Sequence, residues 1–326
     1  ASCATKGPAC QWYDFSYGWI ARDPRQSQII KRLREIADRW LDWNRTPDPR
    51  GIALIVDEDT PACYLSHEIQ SMYWLVYKQK EVFERVGAPW NVYLLDDLVA
   101  GRVPEARCYF FVNTIHMTDG ACDYVNDELK SDGRTLVWMY APGYIGEDDL
   151  DVARIGEMTG MQMTEVEEMR PWRLDPSEDH RFTAGLSAAD IVQPNVEMGP
   201  VFHPSADDIE VAGTWEGSEL PALAVRRFDD WTSVYSATPL LSPKLVKRIA
   251  EDAGVAVRVA GVEPSYVSRN MIGLHSAVER TETLRFDEPM RVVDLLTGEI
   301  LAADATELEV TVPGPGTRLL HTYPAQ

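Results

Sequence analysis

The chain has 326 residues, with 52 acidic against 31 basic side chains and a formal net charge of −21. The carboxylates are spread along its length, so no basic face is available to neutralise phosphates, and nucleic acid is excluded as a partner. With 45% hydrophobic and 25% charged residues the composition fits a soluble globular protein of more than one domain, and no stretch reaches the roughly 18 apolar residues of a membrane span.

The opening Ala-Ser-Cys-Ala-Thr-Lys-Gly-Pro lacks the pattern of a signal peptide, which leaves the compartment open. Residues 1–22 are rich in aromatic side chains: Trp12, Tyr13, Phe15, Tyr17 and Trp19. Asp23-Pro24 then reads as a helix cap followed by proline at the first helical position. Ile29, Leu33, Ile36, Ala37, Trp40 and Leu41 recur at helical spacing, which predicts an amphipathic helix from about 24 to 43. Thr46-Pro47-Asp48-Pro49-Arg50-Gly51 reads as a linker.

From Gly51 strands and helices alternate. Strands are expected at Ile52–Val56, Trp90–Leu95, Cys108–Val112 and Thr135–Tyr140, and helices at Pro61–Val86, Asp119–Lys130 and Glu147–Met158. Alternation of this kind predicts a mostly parallel sheet with helices on both faces. Residues 165–235 are irregular, with strands only at Ala222–Arg226 and Ser233–Ser236 around an Asp229-Asp230 turn. Ser242-Pro243 caps a helix to about Ala253, and residues 255–260 alternate as a strand. From Met271 onward the pattern is all β, with strands at Ile272–Ser276, Glu282–Phe286, Met290–Leu295, Leu308–Val312 and Thr317–His321, which predicts a small antiparallel sandwich.

The stretch Gly133-Arg-Thr-Leu-Val-Trp-Met-Tyr-Ala-Pro-Gly143 is the most informative. A short apolar run ending in a Gly/Pro bend is a buried parallel strand whose carboxyl end faces the ligand crevice of an open α/β sheet. A hydrolase or amidotransferase carries an exposed Cys or Ser at that corner. Here Met139, Tyr140 and Ala141 occupy it, and none of them is an activated nucleophile at neutral pH. The pattern is that of an enzyme architecture without the enzyme's nucleophile.

Other chemistry is equally sparse. There is no GxGxxG, no Walker loop and no Gly-x-Ser-x-Gly elbow. His67-Glu68 begins like a zincin helix, but Ser71 stands where the second histidine belongs. No cofactor and no metal site are therefore expected. Five cysteines (Cys3, Cys10, Cys63, Cys108, Cys122) are odd in number and contain no CxxC, which leaves a local Cys3–Cys10 bridge as the one pairing to consider. Two groups remain as candidate ligand contacts. Asp57, Glu58 and Asp59 follow the first strand, with His116, Tyr140 and Tyr144 on the same crevice side. Trp12, Asp14, Tyr17 and Trp19 combine aromatic platforms, which stack on sugar rings, with a carboxylate that binds hydroxyls.

A family resemblance ties these features together. Gln11-Trp-Tyr-Asp-Phe15 with Gly18-Trp19 and the helix after Asp23-Pro24 resembles the last strand and helix of a glycoside hydrolase (β/α)8 barrel. Gly51-Ile-Ala-Leu-Ile-Val-Asp-Glu58 looks like the entry to the trimerisation domain that follows such barrels in β-galactosidases, a domain similar in fold to class I glutamine amidotransferases. Leu136 to Ile145 aligns with the amidotransferase elbow, Tyr140 standing about where the family's Cys would be. Ser265 to His275 and Val293 to Glu299 resemble the small C-terminal β domain of the same enzymes. The resemblance implies a barrel remnant at 1–47, a flavodoxin-like α/β trimerisation domain at 48–268 and a β domain at 269–326. It implies a carbohydrate substrate, and either a homotrimer or a second chain carrying the barrel. Nothing in the sequence matches the two catalytic carboxylates of these enzymes, so no catalytic residue is carried over, and hydrolase activity is expected only together with a barrel. The alternative is a non-catalytic small-ligand, carbohydrate-binding or structural module with a degenerate amidotransferase-like fold.

Overall fold

The computed structural model describes residues 23–39, 46–63, 72–187, 190–191, 196–205 and 208–325. Helix α1 (Pro24–Asp38) opens at Asp23, whose carboxylate accepts the Arg25 N–H at 2.9 Å. The expected extension of α1 past residue 39 lies outside the described residues. Strand β1 (Ile52–Val56) leads to a single tight turn, Thr60–Cys63. A wide helical turn, Tyr73–Lys78, runs into α2 (Gln79–Phe83). Next come β2 (Trp90–Leu94), α3 (Leu95–Val99), β3 (Cys108–Phe111), α4 (Asp119–Tyr124) with its wide-turn continuation Val125–Leu129, and β4 (Arg134–Met139). Helix α5 (Val152–Thr159) starts five residues later than its periodicity predicts, because Asp151 caps it by accepting the Ala153 N–H at 2.8 Å.

The stretch expected to be irregular holds six more strands than expected: β5 (Met163–Val166), β6 (Arg170–Pro171), β7 (Leu174–Pro176), β8 (Glu197–Met198), β9 (Val201–Pro204) and β10 (Glu210–Trp215). The expected pair follows as β11 (Pro221–Arg227) and β12 (Trp231–Ser236). Helix α6 (Pro243–Asp252) is capped by Ser242, as its sequence requires. The chain closes with β13 (Ser265–Val267), β14 (Met271–Ser276), β15 (Arg280–Asp294), β16 (Ile300–Val312) and β17 (Gly316–Pro324).

Two compact units result, one built from 49–83 and 90–255, the other from 1–48, 84–89 and 256–326. The first holds an eight-stranded sheet in the order β2-β1-β3-β4-β12-β11-β10-β7. Its first five strands are parallel, and β11, β10 and β7 continue it antiparallel. Leu54, Ile55, Phe110, Phe111, Val137, Trp138 and Val234 are essentially solvent-free, as central parallel strands covered on both faces must be. Phe111 and Trp138 stack across neighbouring strands with ring centroids 4.3 Å apart.

The second unit corrects three expectations. Instead of a sandwich there is one five-stranded antiparallel sheet, β13-β14-β17-β15-β16. Asp287-Glu288-Pro289 suggests a turn between two strands. In the fold it is a bulge within the single strand β15, where the β15–β16 register shifts and Pro289 needs no ladder bond. Residues 255–260 do not form a strand. Val259 makes one bridge to Leu284, while the Arg258 and Val259 N–H groups both donate to the Gly87 carbonyl. Helix α1 belongs to this unit and sets Ile36 and Leu33 against Met271, Leu295 and Leu319.

Candidate functional site

Strand order in the eight-stranded sheet reverses between β1 and β3: the chain leaves β1 for β2 on one side and returns to β3 on the other. Open α/β sheets bind ligands beyond the carboxyl ends of their strands at such a switch point. Asp57 is the first residue beyond β1, and Asn113 and His116 follow β3. Asn113 holds the two loops together in both directions. Its Oδ1 accepts the Asp57 N–H at 2.9 Å, and its Nδ2 donates to the Asp57 carbonyl at 2.8 Å. Thr60 adds a second tie: its N–H donates to Asp57 Oδ2 at 2.5 Å, and its Oγ1 accepts the His116 N–H at 2.9 Å. Asp57 is thereby buried with only 8% of its surface exposed, and His116 Nδ1 stands 3.9 Å from its Oδ2. Donor atoms of Asp57, Asp59 and His116 lie within 4.8 Å of one another. Glu58 is exposed beside them.

The second element of the site is the corner after β4. Tyr140 has φ +63°, the left-handed region that bulky residues rarely enter. Strained strand-to-turn corners of this kind raise the nucleophile of α/β enzymes clear of the sheet. Here the side chain is 4% exposed and fully engaged. Its hydroxyl donates to the Pro200 carbonyl at 2.8 Å, and its ring meets Phe202 edge-on at 5.3 Å. Its N–H donates to the Ser236 carbonyl, and its own carbonyl accepts the Tyr235 hydroxyl, both at 2.7 Å. The corner is present, and its side chain serves packing. Tyr144 donates to Glu165 Oε1 at 2.9 Å, and burial together with that carboxylate pushes its phenol up to about 12.

No described cysteine replaces the missing nucleophile. Cys108 is fully enclosed and its thiol is pushed far up by burial. Burial likewise raises Cys122 to about 11. Cys63 is exposed four residues beyond Asp59, and burial of its sulfur, then the charges of Asp57 and Asp59, raise it as well.

Of the residues singled out from sequence, Asp57, Glu58 and His116 lie on the loops after β1 and β3, and Tyr140 and Tyr144 belong to the β4 corner and the loop after it. Trp12, Asp14, Tyr17 and Trp19 lie outside the described residues. Sequence reasoning missed Asn113 and Thr60. An Asn directly after the apolar run Cys108–Val112 is the one signal that marks such a tie.

No protein-family profile and no curated protein matches this chain. Solved structures do. The β-galactosidase of Bacillus circulans sp. alkalophilus superposes with a TM-score of 0.61 at 15% identity, over 91% of this chain and 44% of that one. The β-galactosidase of Rahnella sp. R3 gives 0.61 at 14% identity, over 92% and 45%. That of the haloarchaeon Halorubrum lacusprofundi gives 0.52 at 11%, over 89% and 42%. The chain thus spans under half the length of these enzymes, and at such identities the likeness is one of fold, related to that of glycoside hydrolases.

Proposed function

We propose that the chain is the C-terminal, non-catalytic portion of a β-galactosidase-like glycoside hydrolase. In this reading residues 1–47 are the last strand and helix of a (β/α)8 barrel, 48–268 an amidotransferase-like trimerisation domain, and 269–326 a C-terminal β domain. Its work is assembly into a homotrimer and shaping of the active-site rim, with Trp12, Asp14, Tyr17 and Trp19 facing the sugar. The acid and nucleophile carboxylates reside on a barrel outside this chain. The observation that carries the reading is Tyr140: a nucleophile corner kept in its strained geometry and filled by a side chain whose hydroxyl is spent on the Pro200 carbonyl. Superposition of about nine-tenths of the chain on β-galactosidases supports it.

The test is a pair of measurements on the purified chain. Analytical ultracentrifugation is expected to give three copies per particle, and neither an aryl β-galactoside nor glutamine is expected to be hydrolysed. Turnover of either substrate by this chain alone overturns the reading. In the native complex, mass spectrometry is expected to find a barrel, either on a second polypeptide or on a longer form of this one.

The convergence of Asp57 and His116 beyond β1 and β3 favours a second reading, a module that binds a small polar ligand through these two residues without turnover. Saturable heat in a calorimetric titration with galactose or lactose supports it, and a flat titration across sugars and amino acids counts against it.

A further inference from the structure

We infer that Asp57, Asp59 and His116 form a binding site for one divalent transition cation of the Mn²⁺ or Zn²⁺ class. Three observations carry this. The first is the donor set: two carboxylates and one imidazole converge within 4.8 Å, from two loops that meet at the point where strand order reverses. Oxygen donors suit Mn²⁺ and an imidazole suits Zn²⁺, so the mixed set selects this class over purely oxygen-loving ions.

The second is charge. Asp57 is more than nine-tenths buried, yet among the described residues no lysine or arginine pairs with it or with Asp59. Its Oδ2 takes the Thr60 N–H, and its Oδ1 has no hydrogen-bond donor among the described residues. A buried carboxylate facing another carboxylate is costly unless a cation joins them. At 3.9 Å the His116 ring is too far to hydrogen-bond to Asp57, which leaves room for an ion between them.

The third is rigidity. Asn113 and Thr60 fix both loops through four hydrogen bonds, so Asp57 and the His116 backbone are held before any ligand arrives. Outer contacts of this kind orient the ligands of metal sites. Asp59 is exposed, and its carboxylate stands in reach of both as the third ligand. The bound ion would clamp the β1 loop to the β3 loop, with water completing its shell. This inference does not depend on the assembly role proposed above.

The experiment is a Mn²⁺ titration of the chelator-stripped chain, followed by electron paramagnetic resonance, with Zn²⁺ as competitor. One saturable Mn²⁺ per chain, displaced by Zn²⁺, is expected. Asp59→Asn and His116→Ala are each expected to weaken binding by at least about tenfold, since loss of even an outer-shell contact does as much. Asp59 is exposed, so its variant folds whatever the fate of the others, and circular dichroism checks each. His275→Ala, at an exposed histidine bonded to Thr317, should bind as the parent does. Absence of a saturable site overturns the inference, and so does binding that His116→Ala and Asp59→Asn leave unchanged.

Discussion

Tyr140 is held in its unfavourable backbone region by three hydrogen bonds and an aromatic contact. Such a conformation costs on the order of 1–3 kcal/mol and persists only where its surroundings dictate it. Tyr140→Phe strips the Pro200 carbonyl of its donor and is expected to lower stability by about 1 kcal/mol in urea unfolding. Tyr235→Phe should cost more, about 1–3 kcal/mol, because it orphans the Tyr140 carbonyl in a fully buried position. An unchanged midpoint in both variants would show that these hydroxyls do not hold the corner. The place of Tyr140 at a strand-ending bend is legible in the sequence, since Gly133 and Pro142-Gly143 bracket the apolar run. Its backbone angle is not, because nothing local to a tyrosine favours φ > 0. The Asn113 ties are hidden for a related reason: they join residues 56 positions apart, and only the sheet brings these together.

At the scale of elements, local signals succeed where the chain satisfies itself locally. Ser242 caps α6 by accepting the Leu245 N–H at 3.2 Å, as Ser-Pro before an apolar stripe predicts. Ser242→Ala is expected to lose about 1 kcal/mol, read from the thermal or urea midpoint. Local signals fail where a distant partner decides. The alternation at 255–260 matches a strand, yet the Gly87 carbonyl takes two of its N–H groups. Strands β5 to β9 are short, proline ends β6, β7 and β9, and the register of β10 shifts at Gly213, so no period-2 run announces them. Strand β17 carries a pH dependence. Burial first, then the positive charge of Arg39, holds His321 down to about 4, below the ordinary value near 6.5. The unfolded chain therefore binds the proton more readily, and stability falls as pH drops from about 6.5 towards 4. Urea midpoints measured through that window should decline, and His321→Leu should flatten the decline.

At the scale of the whole molecule, a buried ion pair joins distant parts of the chain and the net charge is large. In the second unit, Arg258 reaches back to Asp48 at 2.5 Å, 210 residues earlier in the chain, and also donates to the carbonyls of Ser268 and Arg269. Both side chains of the pair are buried. Asp48→Ala leaves the guanidinium without its carboxylate and is expected to cost about 3–5 kcal/mol in urea unfolding. A loss within a few tenths of a kcal/mol would mean that the carbonyls suffice. With a net charge of −21, self-repulsion opposes compaction. The thermal midpoint is expected to rise between about 0.05 and 0.5 M NaCl as the charges are screened. The parallel half of the large sheet is legible from alternating apolar runs and helices. The pairing of β10 with the distant β7, and the joining of α1 to the C-terminal sheet, depend on contacts that no window of sequence contains.

The occupied corner at Tyr140 also decides how the protein meets reactive chemistry. Serine- and cysteine-directed electrophiles find their targets through an exposed, activated group at such a corner, and here they meet a phenol already committed to a carbonyl. Among the described cysteines only Cys63 is open to alkylation, and partial burial of its sulfur, then the charges of Asp57 and Asp59, raise its thiol and slow it. Among the described residues this corner therefore offers nothing to an activity-based label, and that silence is a property of its backbone geometry as much as of its composition.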